Sequence, residues 1–224
     1  MAVAAFFASV TIPVLNVDGQ ASAALGKVAV DTQSLGAVSL KVAANAFDPS
    51  LDRSGDYSAT DASDLEAARA NDQMIANFDA YMASGAQELG DDYPWYSQLS
   101  NNEGGGLSPL NYYYRECVDF VAWRLNRDAG STEAPFKWDW SYLTPGGGSA
   151  PAWKRNWEIH GWETGSEPRV GAVAWFGFHV GYVSAVNDDG TVLIEEYNFQ
   201  SDHLYGQRTI PADEVSEYLY APPR

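Results

Sequence analysis

From residue 172 onward the chain changes character, and that change limits the architectures open to it. "AVAWFGF", "HVGYVSAVN", "TVLIEEYNF" and a closing "YLYA" are rich in Val, Tyr, Phe and Trp, side chains that suit a pleated, half-buried surface. Asn187 to Gly190, "NDDG", is a hairpin turn signal between two of these runs. What precedes them has helical spacing. Helices first and then an antiparallel meander is the order of an α+β domain.

The preceding region divides by composition. Residues 2 to 17 are apolar and uncharged, and Ala21-Ser22-Ala23 follows as an A-x-A cleavage pattern. No Lys or Arg precedes the apolar run, and it contains Pro13. It is also short against the roughly 20 residues of a spanning helix. Residues 1–23 therefore read as a signal peptide or a truncated membrane anchor, with an ordinary buried helix as the other reading. Residues 24–62 read as a flexible linker, because "DPSLDRSGDYSATDAS" is dominated by Asp, Ser and Gly. Residues 63–90 read as an amphipathic helix with its linker. Ser63 and Glu66 have capping-box spacing, Ala67, Met74, Ile75, Phe78, Tyr81 and Met82 recur at helical intervals, and Gly85 or Gly90 stops it. Residues 91–111 are loop, with Gly104 to Gly106 and Pro109. A second helix is expected over 116–127, with Val118, Val121, Ala122 and Leu125 on one face, Arg124 and Arg127 toward its end, and Gly130 beyond it. A short third helix is expected over about 150–158.

Charge narrows the partners. Asp and Glu number 30 against 13 Lys and Arg, a net charge of -17. That excludes counterion-driven binding to nucleic acid and adhesion to anionic lipid. One Cys permits no internal disulfide and no multi-thiolate zinc site, and no pair among His160, His179 and His203 has ligand spacing. No metal and no cofactor are expected.

The single Cys117 has two readings. It is a small buried apolar residue, or it is a nucleophile. It sits near the first turn of a predicted helix, where the partial positive charge favours a thiolate, with a pKa well below the ordinary value of about 8.5. A nucleophile needs a base and the base needs an orienting acceptor. His160 reads as a helix cap and His203 lies in a polar loop. His179 begins a strand among apolar residues, and is either a satisfied core histidine or a base at the mouth of the sheet. Alternation places Val192, Ile194, Glu196 and Asn198 on one strand face and Glu195, Tyr197 and Phe199 on the other. Glu196 and Asn198 are either a solvent-facing polar pair or a clamp for His179 across the hairpin.

"YYYRECVDFVAWRLNR", "GGGSAPAWKRNWEIHGW", "PRVGAVAWF" and "HVGYVSAVNDDGTVLIEEYNF" stand in this order. Together they resemble the CHAP domain, the cysteine- and histidine-dependent amidohydrolase/peptidase family of bacterial and phage cell-wall proteins. The likeness covers roughly residues 91–224. It implies a papain-like α+β domain, N-terminal helices packed on a C-terminal antiparallel sheet, with Cys117 as nucleophile, His179 as base, Glu196 as the acid that orients it, and Asn198 as a further polar residue of the site. It implies a secreted or surface-held hydrolase that cuts an amide in the peptide part of peptidoglycan, either an N-acetylmuramoyl-L-alanine amidase or an endopeptidase. The mature domain would not insert into membrane. The alternative is a non-catalytic wall-binding or host-interacting surface protein with the same fold. Two positions depart from the family pattern. Arg115-Glu116 replaces the usual Gly-Gln before the Cys, with Arg115 as a possible oxyanion donor, and Ala172 replaces an Asp after Gly171. Some family members bind calcium through acidic loop residues before the Cys, and Asp91 and Asp92 lie in that region. Trp123, Trp153, Trp175 and Tyr182 are candidates for gripping glycan or peptide, or for filling the core.

Overall fold

The centre of the domain is a six-stranded, wholly antiparallel sheet in the order β1-β6-β2-β3-β4-β5. The computed structural model describes residues 60–200 and 202–223. The leader expected over 1–23 and nearly all of the linker expected over 24–62 lie outside the described residues. The helices are α1 Ala62–Ser84, α2 Cys117–Asp128, α3 Trp140–Leu143 and α4 Ala150–His160. The strands are β1 Thr164–Gly165, β2 Val173–Trp175, β3 Val180–Val186, β4 Thr191–Tyr197, β5 Tyr205–Pro211 and β6 Glu217–Leu219. The α+β order holds. The meander runs through β2, β3, β4 and β5, and then the chain crosses back so that β6 pairs with β2 rather than extending the far edge. β5 was not foreseen. "YGQRTIP" alternates too weakly to show as a strand, and it is held by seven register pairs to β4.

The hairpin at Asn187–Gly190 forms as its composition requires. Gly190 takes φ 82°, and the Asn187 N–H donates to the Thr191 carbonyl at 2.9 Å. The sheet is covered on one face by a core of Phe120, Val121, Leu125, Trp153, Trp157 and Val180, and on the other by Ala172, Ala174, Val183, Val192 and Ile194. Ala172, the departure from the family pattern, is buried in that second cluster, where a carboxylate would need a partner to offset its desolvation. Trp153 and Trp157 are fully buried and stack 5.5 Å apart. Trp123, Trp153 and Tyr182 are all core residues, and the half-buried Trp175 donates its indole N–H to the Ala150 carbonyl at 2.9 Å. These four therefore serve packing.

α1 departs from its expected form. Asp61, not Ser63, is the N-cap, and its carboxylate accepts the Ser63 N–H at 2.8 Å. Gly85 ends the helix in the left-handed region. Only Asn77 and Tyr81 are buried within it, while Leu65, Ile75, Phe78 and Met82 are exposed. The helix is attached through Tyr81 stacked on Tyr96 at 3.9 Å and through Asn77, which donates to Glu103 at 3.1 Å. Polar and aromatic anchors replace the apolar stripe.

Two buried carboxyls pin the loop before α2. Asp91 accepts from Tyr197 Oη at 2.5 Å and from the Tyr93 N–H at 3.1 Å. Asp119 accepts from Tyr93 Oη and from Ser108 Oγ. Asp92 pairs with Arg124 at 2.9 Å and Arg127 at 3.0 Å and accepts from Trp123. Asp91 and Asp92 thus spend their oxygens on protein donors.

Burial pushes the Asp91 carboxyl up to about 7 and Asp119 up to about 8, against the hydroxyl donors that lower both and, for Asp91, the Tyr93 amide. In the unfolded chain both release their protons near pH 4, as ordinary carboxyls do. The folded chain therefore binds more protons across this interval, and these two groups lower stability as pH rises from about 4 to about 8. We expect the melting temperature to fall over that window and Asp119→Asn to flatten the slope. An equally steep profile in the variant would contradict this assignment.

Candidate active site

Cys117 is the first residue of α2 and Glu116 is its N-cap. The half-buried thiol lines a groove of about 870 Å³ walled by Leu107, Tyr112, Tyr113, Trp140 and Phe178. The motif around Gly148 builds the far wall. A Cβ on Gly148 would collide with the Trp140 indole, and the Gly148 carbonyl accepts the Trp153 indole N–H at 3.2 Å. The aromatic lining comes from the loop before α2, from α3 and from Phe178, and none of the four aromatics singled out in the sequence contributes to it.

The backbone N–H groups of Val180 and Val118 both donate to the Cys117 sulfur. Val180 directly follows His179, so the start of β3 lies against the thiol. His179 is buried, and its Nε2 stands 3.0 Å from Glu196 Oε2. Glu196 is 1% exposed. Burial alone would raise its pKa, but hydrogen bonds from His179 and Arg208 and the Arg208 charge hold it below the usual carboxylate range. An ionised acceptor places the imidazole proton on Nε2 and leaves the Nδ1 lone pair for the proton of a nucleophile.

Arg208 was not anticipated. Its Nε and Nη2 both reach Glu196, the second at 3.0 Å. Its guanidinium lies 3.8 Å from the centre of the Phe199 ring and 5.3 Å from that of Phe176. Phe199 also meets the His179 ring edge-on at 5.2 Å. The signal in sequence was one Arg in an unrecognised strand, at even spacing from a glycine that faces Glu196.

Asn198 takes φ 58°, in the left-handed region that Asn tolerates better than most residues. Its Nδ2 donates to Glu116 Oε2 at 2.9 Å, and its Oδ1 accepts the His203 N–H at 3.1 Å. It ties the end of β4 to the residue before the thiol. Glu116 makes no capping bond. Arg115, also at positive φ, is buried and points away from the groove. It donates to the His203 carbonyl at 3.0 Å and the Gln98 carbonyl at 3.2 Å, and pairs with Glu103 at 3.0 Å. Its guanidinium is committed to the loop and is not placed to stabilise an oxyanion.

The candidate site thus joins a groove-lining thiol at the start of α2 to a buried histidine–carboxylate pair on the antiparallel sheet of an α+β domain. Residues 107–198 match the family model of the CHAP domain. The chain is 29% identical over 164 residues to a probable autolysin, SsaALP, of Staphylococcus aureus, covering 66% of this chain and 58% of that protein. It is 33% identical over 75 residues to the N-acetylmuramoyl-L-alanine amidase sle1 of the same species, covering 29% of this chain and 22% of that protein. It spans less than two thirds of either relative's length. A crystal structure of an N-acetylmuramoyl-L-alanine amidase from Staphylococcus aureus superposes with TM-score 0.39 at 23% identity, over 51% of this chain and 32% of that one.

The thiol differs from expectation in its proton affinity. Burial pushes Cys117 up to about 12, and the Glu116 and Glu196 charges raise it further against the two amide donors. The helix start favours a thiolate, but desolvation outweighs it here. In the free protein Cys117 is therefore a neutral thiol. Its alkylation by iodoacetamide should keep accelerating beyond pH 9. A plateau reached below pH 8 would show a preformed thiolate instead.

Proposed function

We propose that the chain is a secreted or surface-held peptidoglycan hydrolase that cleaves an amide in the peptide part of the wall through Cys117, His179 and Glu196. The observation that carries this reading is the buried His179–Glu196 hydrogen bond at the start of β3, where the next residue, Val180, turns its backbone N–H to the groove-lining Cys117 sulfur. The autolysin and amidase names of its relatives agree with it.

The chemistry follows from the protonation states. As the substrate carbonyl approaches, His179 Nδ1 takes the thiol proton while Sγ forms a bond to the carbonyl carbon. The proton moves during the attack because the resting thiol is neutral. The oxyanion is met by backbone amides at the start of α2, among them that of Cys117, which precedes the first intrahelical donors. The C–N bond breaks as the imidazolium returns its proton to the leaving amine. Water, deprotonated by His179, then releases the acyl group and restores the thiol. Glu196 keeps the ring in one tautomer and stabilises the imidazolium in both halves.

Arg208 acts through Glu196 as a positioning residue. Removing it leaves a buried carboxylate with the His179 N–H as its remaining side-chain donor among the described residues and raises the pH at which that carboxylate protonates.

Purified cell walls incubated with the wild type should lose turbidity, with no loss from Cys117→Ala. Glu196→Gln should lower kcat by about 10²–10⁴-fold. Mass analysis of the released muropeptides then fixes which amide is cut. Equal clearing by wild type and Cys117→Ala, or none by the wild type across several wall types under reducing conditions, would favour a wall-binding protein that retains the fold. Arg208→Gln should lower kcat more than it changes KM and move the acid limb of the pH–rate profile upward, with Arg208→Lys recovering part of the loss. An unshifted limb would remove Arg208 from this role.

A further inference from the structure

Among the described residues, Glu116 is the only charged one lining the groove. The walls are otherwise apolar or neutral, so a charge there is screened less than one on the open surface. The nearest cation in sequence does not neutralise it, because Arg115 pairs with Glu103. Among the described residues its ion-pair partner is His203, whose Nδ1 stands 3.5 Å from Glu116 Oε1, and that buried nitrogen has no hydrogen-bond partner. Asn198 fixes one carboxylate oxygen with a neutral donor at 2.9 Å. The carboxylate is thus held in place beside the nucleophile with little compensating charge.

Resting on the peptidoglycan-hydrolase reading, we propose that Glu116 determines specificity by receiving a primary ammonium of the substrate next to the amide that Cys117 attacks. The groove geometry fits a short apolar or neutral peptide segment that carries one amine. In the peptide part of a wall that amine has two sources: the side chain of a diamino-acid residue, or the free amino end of a strand. The chemistry recognised is the same. An anionic group at this position is repelled both by Glu116 and by the net charge of the chain.

Two readouts test this separately from hydrolysis. The first labels Cys117 with methanethiosulfonate reagents of similar size bearing a positive, neutral or negative group, with rates normalised to a free thiol. Glu116→Gln keeps an acceptor for Asn198 and removes the charge, and the exposed Glu214→Gln changes net charge equally. The cation-over-anion rate ratio should fall at least about threefold in Glu116→Gln and stay near the wild-type value in Glu214→Gln. Equal ratios in all three proteins would overturn the proposal, and melting temperatures of the variants guard against misfolding as the cause. The second readout uses stem and cross-bridge peptides with the side-chain amine, the terminal amine or both acetylated. The wild type should prefer one free amine, and Glu116→Gln should lower that preference at least about tenfold. If acetylation at either place leaves kcat/KM unaffected, the substrate assignment fails. If the wild type cleaves no peptide at all, the hydrolase reading fails, and with it the substrate assignment. The labelling ratios then still decide whether Glu116 sets the charge preference of the groove.

Discussion

Glu196 is a carboxylate almost wholly removed from water, and the site depends on what keeps it ionised there. Desolvating an unpaired carboxylate costs several kcal/mol, enough to protonate it instead. Sheet register supplies the remedy. Glu196 faces Gly206 on β5, and one further step along the Tyr182↔Glu195 register puts Gly181 opposite it on β3. Neither neighbour has a side chain, so the carboxyl is free to accept from the residues diagonal to it. His179 arrives from one side and Arg208 from the other. The glycine at 181 also has a steric reason, since a Cβ there would strike Ile194.

The thiol is placed by the other half of the domain. α2 packs on β3 through Phe120, Val121 and Leu125, and its first turn is set by the loop that Asp91, Asp119 and Arg115 hold down. Arg115 and Asn198 both adopt positive φ on either side of this junction. Such backbone costs about 1–3 kcal/mol at a non-glycine residue. It persists here because the buried guanidinium of Arg115 and the amide of Asn198 each make two or more hydrogen bonds that a relaxed backbone would lose. The dipeptide that looked least typical before the Cys therefore divides its work. Arg115 faces inward to the loop, and Glu116 faces the groove.

Much of this was legible in the sequence, for identifiable reasons. The lone Cys at a helix start, the "NDDG" hairpin and the period-two alternation that put Glu196 and not Glu195 toward His179 are local signals, and local signals survive folding. What was missed is non-local. β5 carries few strand-forming side chains and gains its structure from pairing with β4, so Arg208 had no visible partner. The same holds for the thiol: its position at a helix start pointed to a lowered pKa, but burial by distant residues raises it instead. On α1 the apolar spacing was present, yet aromatic stacking on Tyr96 and an Asn77–Glu103 hydrogen bond decided which face docks.

The crossing of β6 back to β2 has a kinetic meaning. β2 and β3 can pair once Val186 has been made, but the other edge of β2 has no neighbour until Glu217–Leu219 arrives to bridge it to β1. A growing chain therefore exposes an unsatisfied strand edge through the synthesis of the whole hairpin region, and an exposed edge invites pairing with other chains. The sheet completes only when its last strand threads between two that were made earlier. The order of assembly is thus set by the end of the domain, and the His179–Glu196–Arg208 cluster, built on β3, β4 and β5, can form before the sheet that supports it is closed.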